Sequence, residues 1–308
     1  MWGMGGPTSG WTGADDEESM RSLERAVERG CNFFDTAWVY GDGHSERLLG
    51  QLLASHPNER LYAATKIPPK NRQWPARPEF MLDEVFPPDH IRKYAERSLA
   101  NLHVSTIDLL QFHVWSDKWV NDERWQRALD DLKSEKMVRA VGLSINRWEP
   151  ENGIETIRTG LIDAVQVIYN IFDQAPEDRL FPVCRERNIG VIARVPFDEG
   201  SLTGNLTMQS KWPEGDFRNT YFGPENLKAS VKRADALKQI STDGVALPEL
   251  ALRFIVSNAD VSTVIPGMRQ VKHVDANLSA SDKGALPKDL IAQLRAHRWD
   301  RRPAWWSD

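Results

Sequence analysis

The chain has 308 residues, 41% of them hydrophobic and 27% charged, with a formal net charge of −5. That composition is globular, and the length suits either two ordinary domains or one large α/β barrel. Basic residues are scattered among acidic ones and no apolar run approaches the roughly 20 residues of a bilayer span, which excludes an electrostatic footprint for nucleic acid and a membrane segment.

Short β-like runs alternate with helical patterns along the whole chain. MWGMGG reads as a first strand; the full N-terminus, MWGMGGPTSG, has neither the basic nor the apolar region of a signal peptide. A helix over about 15–29 follows, with Met20, Leu23 and Val27 on one face and Gly30 as its stop. CNFFDT is the second strand, and Ser45 is placed to cap a helix through ERLLGQLLA. LYAATK (61–66) is the third strand, followed by a proline-rich insertion and a helix with Ile91, Ala95, Leu99 and Leu102 in register. IDLLQFH (107–113), VRAVGLS (138–144), DAVQVIYN (163–170), GVIARV (190–195) and VSTVIPG (261–267) continue the series. The intervening helices are predicted near Trp125–Leu132, 151–159, 177–188, 225–240 and 248–257, and two more, near 271–278 and 287–297, close the chain. Segment 196–224 holds only turn-like and aromatic residues.

Each strand candidate is followed by a helical pattern, and the apolar runs lack clean alternation, as in a parallel sheet covered on both faces. Carried through eight strands without a linker or low-complexity segment, this predicts one α/β domain over 1–308, a (β/α)8 TIM barrel. Cys31 and Cys184 are the only cysteines, too few for a disulfide framework. They read as reduced thiols of a cytoplasmic protein. No two histidines share the i, i+4 spacing of a zinc helix and the cysteines are far apart, so no metal site is expected.

Polar residues fall at the strand ends: Asp35, Lys66, His113, Ser144, Gln166, Asn170 and Arg194. In barrels, catalytic groups come from those ends. FFDTAWVYG also places Tyr40 five residues after Asp35. A phenol has an unperturbed pKa near 10, and a neighbouring ammonium lowers it. Lys66 could be that ammonium, Asp35 could keep it charged, and His113 could donate toward a carbonyl oxygen. The bland alternatives are a loop-capping Asp35, a packing Tyr40, a core His113 and a structural Asp35–Lys66 pair. The loop tryptophans Trp74, Trp115, Trp119 and Trp212 are expected to line a substrate pocket, at least in part.

These motifs resemble the aldo-keto reductases, NADPH-dependent barrels that reduce carbonyls. The family's tetrad falls on Asp35 in FFDTA, Tyr40 in YGDGHSERLLG, Lys66 in AATK and His113 in LLQFH, and the likeness runs from WGMGG to VIPGMRQVKHVDANL. It implies reduction of an aldehyde or ketone to an alcohol, with NADPH/NADP+ as cofactor, NADH as a possible substitute, and a small-molecule carbonyl substrate. It also implies a cofactor-binding set. Trp2 opens it; Ser144 and Gln166 would hold the carboxamide, while Ile145 stands where the family has Asn and Asn146 follows. Arg194 stands where many members place an aromatic ring against the nicotinamide. Phe197 and Leu202 lie in VPFDEGSLTG, similar to the pyrophosphate-clasping loop. Gly267, Arg269, His273 and Asn277 lie in the segment resembling the adenosine site, with Arg269 facing the 2′-phosphate. The resemblance implies a short capping hairpin ahead of the first strand, and the chain is expected to lack it, since MWGMGG already reads as that strand. A nucleotide-sensing regulatory subunit and a lyase or epimerase using Tyr40 and Lys66 are the alternatives, and the oligomeric state is not legible.

Overall fold

The computed structural model describes residues 1–6, 13–240 and 244–301, without the side chain of Trp2. Among the described residues seven parallel strands form one sheet in chain order: β1 (Phe33–Asp35), β2 (Tyr62–Ile67), β3 (Ile107–Phe112), β4 (Val138–Ser144), β5 (Ala164–Ile168), β6 (Gly190–Arg194) and β7 (Thr263–Val264). Helices connect them, as parallel strands require, and the fold is of the (β/α)8 barrel type. The register is regular: Lys66 pairs with Gln111, Gln111 with Gly142, Ser144 with Gln166, and Ile168 with Arg194.

The predicted strands appear within a few residues of their expected places, except the first. MWGMGG forms a 3-10 turn over Trp2–Met4. Its glycines disfavour an extended strand, and Met4 is instead anchored in the core. A close approach holds this turn in place: a Cβ on Gly41 would stand 1.8 Å from the Gly5 carbonyl oxygen, and Gly41 has φ +71°.

The first helix, Asp16–Glu28, is capped by Asp15, whose carboxylate accepts from the Glu18 N–H at 2.7 Å. Ser45 does not cap the second helix. That helix, His44–Ser55, starts after Gly43, and the Ser45 hydroxyl lies buried beneath β1, accepting from Thr36 Oγ1 at 2.8 Å. Segment 196–224 is less irregular than expected: it contains 3-10 turns over Asp198–Thr203 and a short helix, Arg218–Tyr221.

The main core lies between the sheet and its helices. Trp115 and Trp119 belong to it and are not pocket lining: they pack edge-on at 5.4 Å, with Trp125 5.1 Å from Trp115 and Phe112 5.0 Å from it. Both are almost fully buried, and their indole N–H groups find internal acceptors, Thr156 Oγ1 at 2.8 Å and the Phe80 carbonyl at 2.9 Å. Among the described residues no helix is long and apolar enough to cross a membrane, and both cysteines are free. Gly41→Ala is expected to lower stability by about 1–3 kcal/mol through overpacking, with αL strain added; a urea-unfolding midpoint equal to that of wild type would contradict the close approach.

Candidate active site

Side chains alternate across a strand, and here the alternation sorts chemistry. Ala64, Leu109, Ala164 and Ile192 form a small apolar cluster inside the barrel, with Phe33 and Ala140 against it. Two residues further along the same faces come Asp35, Lys66, Gln111, Gly142, Gln166 and Arg194. One more step adds His113 and Ser144. The barrel is therefore apolar at its middle and polar at the C-terminal mouth.

Asp35 and Lys66 form an ion pair at 2.6 Å and are almost fully buried. Asp35 Oδ1 accepts from Lys66 Nζ, which also donates to the Thr36 carbonyl at 2.7 Å. Asp35 Oδ2 accepts from Gln111 Nε2 at 3.1 Å and from Gln166 Nε2 at 2.8 Å. Gln111 escaped the sequence reading, although it lies two residues before His113 on the same face and strand periodicity points to it. Gly142 leaves it room: a Cβ there would come within 3.1 Å of Gln111 Cγ. Gln166, expected at a carboxamide, gives one Nε2 hydrogen bond to Asp35.

Lys66 Nζ lies 5.4 Å from the Tyr40 ring centroid. His113 stands edge-on to Tyr40 at 5.9 Å, and Trp74 stands edge-on to His113 at 5.8 Å. Trp74 is 43% exposed, so of the four loop tryptophans it is the one whose ring lies against His113 while still open to solvent. Trp212 stacks on Phe222 at 5.2 Å in a separate cluster.

The expected lowering of the Tyr40 pKa is reversed. Burial pushes the phenol up; Lys66 pulls it down by charge and hydrogen bonding, Arg194 adds to that pull, and Asp35 opposes it, but burial prevails. Burial also drives His113 well below the usual histidine value, helped by the cations Lys66 and Arg194. Its ring is neutral, and Nδ1 is buried without a partner.

The rim is held by polar side chains from distant segments. Asn146 sits where β4 leaves the barrel and binds two other loops: Nδ2 donates to the carbonyls of Ala76 and Trp115, each at 3.1 Å. It acts as a tie between loops. After β6, Val195 has φ +56°, which a β-branched residue rarely adopts, and Asp198 and Glu199 have positive φ as well. Asn170 secures that turn by donating to the Val195 carbonyl at 3.0 Å. Arg147 pairs with Glu199 at 2.5 Å. Arg301 pairs with Asp173 and, at 2.9 Å, with Asp198, and donates to the Tyr221 hydroxyl at 2.9 Å. Neither pairing was legible beforehand, because the partners are far apart in the chain.

The remaining expected cofactor residues are placed unevenly. Ser144 is buried at the mouth, and its hydroxyl makes no hydrogen bond to a described residue. Phe197 is partly buried, and its carbonyl accepts the N–H groups of Gly200 and Leu202. Leu202 itself is fully buried in the core, so neither its side chain nor its N–H faces a ligand. Gly267 is exposed with open space around its Cα. Arg269 and His273 lie together: burial lowers both pKa values, the charge of Arg269 adding to the shift of His273, and Arg218 acts on Arg269 as a second nearby cation. Asn277 is buried, with Nδ2 unpartnered. The side chain of Trp2 lies outside the described residues. Among those residues no cluster could hold a metal ion.

Comparison with known proteins agrees with this architecture. Residues 1–298 match the model of the aldo/keto reductase family, and the chain belongs to that family. It is 29% identical to a Schizosaccharomyces pombe aldo-keto reductase designated for NADP(+), over 95% of this chain and 84% of the relative. An Escherichia coli NADH-specific methylglyoxal reductase is also 29% identical, over 91% and 87%. A solved structure of glycerol dehydrogenase from Gluconobacter oxydans superimposes with a TM-score of 0.77 at 27% identity, covering 99% of this chain and 93% of that one.

Two outcomes follow from the buried charges. The depressed His113 pKa means that the unfolded chain binds a proton below about pH 6.5 that the folded chain does not, so stability falls as pH drops below that value. Between pH 7.5 and 5, wild type should lose more Tm than His113→Gln; equal losses would show a normally titrating ring. Arg301→Ala leaves two buried carboxylates without their cation and should cost about 3–5 kcal/mol in urea unfolding.

Proposed function

We propose that this chain is a nicotinamide-dependent carbonyl reductase that turns an aldehyde or ketone into an alcohol, working as one barrel domain in the cytoplasm with NADPH as the preferred donor. The observation that carries it is the meeting of Tyr40, His113 and the Asp35–Lys66 pair at one mouth of the barrel.

The residues fit the cofactor. Ser144 offers a hydroxyl at the barrel mouth that makes no hydrogen bond to a described residue, and Asn277, in the helix Val271–Asp282, offers a buried amide nitrogen without a partner. Arg269 and His273 lie near each other just ahead of Asn277 in the chain, and a cation there favours a 2′-phosphate over a free ribose hydroxyl. NADPH, when bound, supplies the hydride.

The rest is the work of this chain. A carbonyl oxygen received between Tyr40 and His113 meets two donors, the phenol O–H and a neutral imidazole N–H. Burial keeps Tyr40 protonated until charge develops on that oxygen. The phenol then gives up its proton, and Lys66 stabilises the phenolate that remains. Asp35, braced by Gln111 and Gln166, keeps the ammonium aimed. Trp74 provides an apolar wall beside His113.

Tyr40→Phe removes the proton donor and should lower kcat roughly 10²–10⁴-fold, the usual range for general acid catalysis, with the Kd for NADPH unchanged by fluorescence titration. Near-normal kcat in this variant would overturn the assignment. Arg269→Ala should weaken NADPH binding by roughly tenfold, as expected for loss of a charge-assisted contact, while leaving NADH binding nearly as in wild type. Equal losses for the two cofactors would remove Arg269 from the 2′-phosphate.

A further inference from the structure

Several charged side chains at the rim have a counter-ion: Lys66 has Asp35, Arg147 has Glu199, and Arg301 has Asp173 and Asp198. Arg194 has none among the described residues. Its Nη2 donates to the Ile145 carbonyl at 3.1 Å. Its Nε is buried without a partner, and Nη1 makes no hydrogen bond to a described residue. A guanidinium cannot shed its charge near neutral pH. Burial and the neighbouring Arg147 lower its pKa to about 10 against the opposing pull of Tyr40, Glu199 and Asp35, so the cation persists. Glu199 and Asp35 are felt by this cation through space, but each is paired elsewhere, Glu199 with Arg147 and Asp35 with Lys66, and neither forms an ion pair with Arg194.

Its position gives this charge a use. Arg194 ends β6 on the inner face, in register with Ile168, and reaches over the mouth toward the end of β4. Its field is felt by both groups that would receive the carbonyl oxygen, Tyr40 and His113. The cation therefore stands beside the reacting centre, with donors unused. A planar fork of N–H donors is the complement of a carboxylate. Arg269 and Asn277, the residues suited to the adenosine end, lie beyond β7 and in the helix Val271–Asp282.

We propose that the substrate is a short oxo acid, and that Arg194 binds its carboxylate while Tyr40 and His113 receive its carbonyl. The inference rests on the carbonyl-reductase reading above. An oxo acid supplies the anion that the site lacks, and a neutral aldehyde of the same shape leaves the guanidinium uncompensated.

The test compares kcat/KM for matched pairs, glyoxylate against methyl glyoxylate and succinic semialdehyde against its methyl ester, in wild type, Arg194→Gln and Arg194→Lys. Wild type should prefer at least one acid over its ester by about 10–100-fold, the worth of hydrogen bonds between charged groups. Arg194→Gln should bring that ratio close to one whatever happens to overall turnover, and Arg194→Lys should restore part of it. No acid preference in wild type overturns the proposal. An unchanged ratio in Arg194→Gln together with weakened NADPH binding overturns it too, and gives Arg194 to the cofactor phosphates. If no carbonyl compound is turned over by wild type, the reductase reading itself fails, and a binding arm then judges the anion site. Oxalate or succinate raising the Tm of the NADPH-saturated wild type but not of Arg194→Gln upholds that site; no rise for either ligand overturns it.

Discussion

The barrel mouth is organised around one buried ion pair. Placing Asp35 and Lys66 away from water is costly, and their mutual attraction offsets that cost only when the remaining donors and acceptors are also satisfied. Here they are. The carboxylate takes the ammonium on one oxygen and two amides on the other, and the ammonium takes a backbone carbonyl as well. The four side chains come from β1, β2, β3 and β5, so a single carboxylate braces strands across the barrel interior. The same brace fixes where the Lys66 ammonium stands relative to Tyr40.

Protonation in the site follows from burial before it follows from neighbours. The ammonium does act on the phenol, yet loss of solvent outweighs it, so the resting side chain is an O–H donor. His113 is neutral for the same reason, with two nearby cations reinforcing the effect. Both groups are thus held as uncharged donors across neutral pH. In the proposed mechanism the charge of Lys66 becomes important once a proton has left the phenol, because the electrostatic cost of that phenolate is otherwise high in a dry site.

Around this centre the loops are tied by polar side chains more than by regular structure. Asn146 joins the end of β4 to the loops after β2 and β3, and Arg301 joins the last described turn to the loops after β5 and β6. The positive φ angles at Val195, Asp198 and Glu199 are sustained by such ties, in keeping with strain being stored next to functional sites. Arg194 precedes this turn, so the conformation that bends the chain away from the barrel also leaves the guanidinium over the mouth.

The alternation of strands and helices, the barrel type and the polar residues that end the strands were legible in the residues themselves. Each rests on a local signal: a run of β-branched and apolar residues, a helical period, a polar residue ending a strand. Gln111 was legible in principle by the same two-residue period. The failures have a common cause. MWGMGG looks like a strand until Gly5 meets Gly41, and Trp115 and Trp119 look like pocket aromatics until Trp125 closes over them. The amide that braces Asp35 comes from Gln166, 131 residues away, and the carboxylate that holds Arg301 from Asp173, 128 residues away. Sequence alone determined which chemistry-bearing side chains end the strands, because the backbone period is a local property. Tertiary structure alone decided which of them are desolvated, which are neutralised, and that Arg194 pairs with no carboxylate among the described residues, because burial and ion pairing depend on distances that only the folded chain creates.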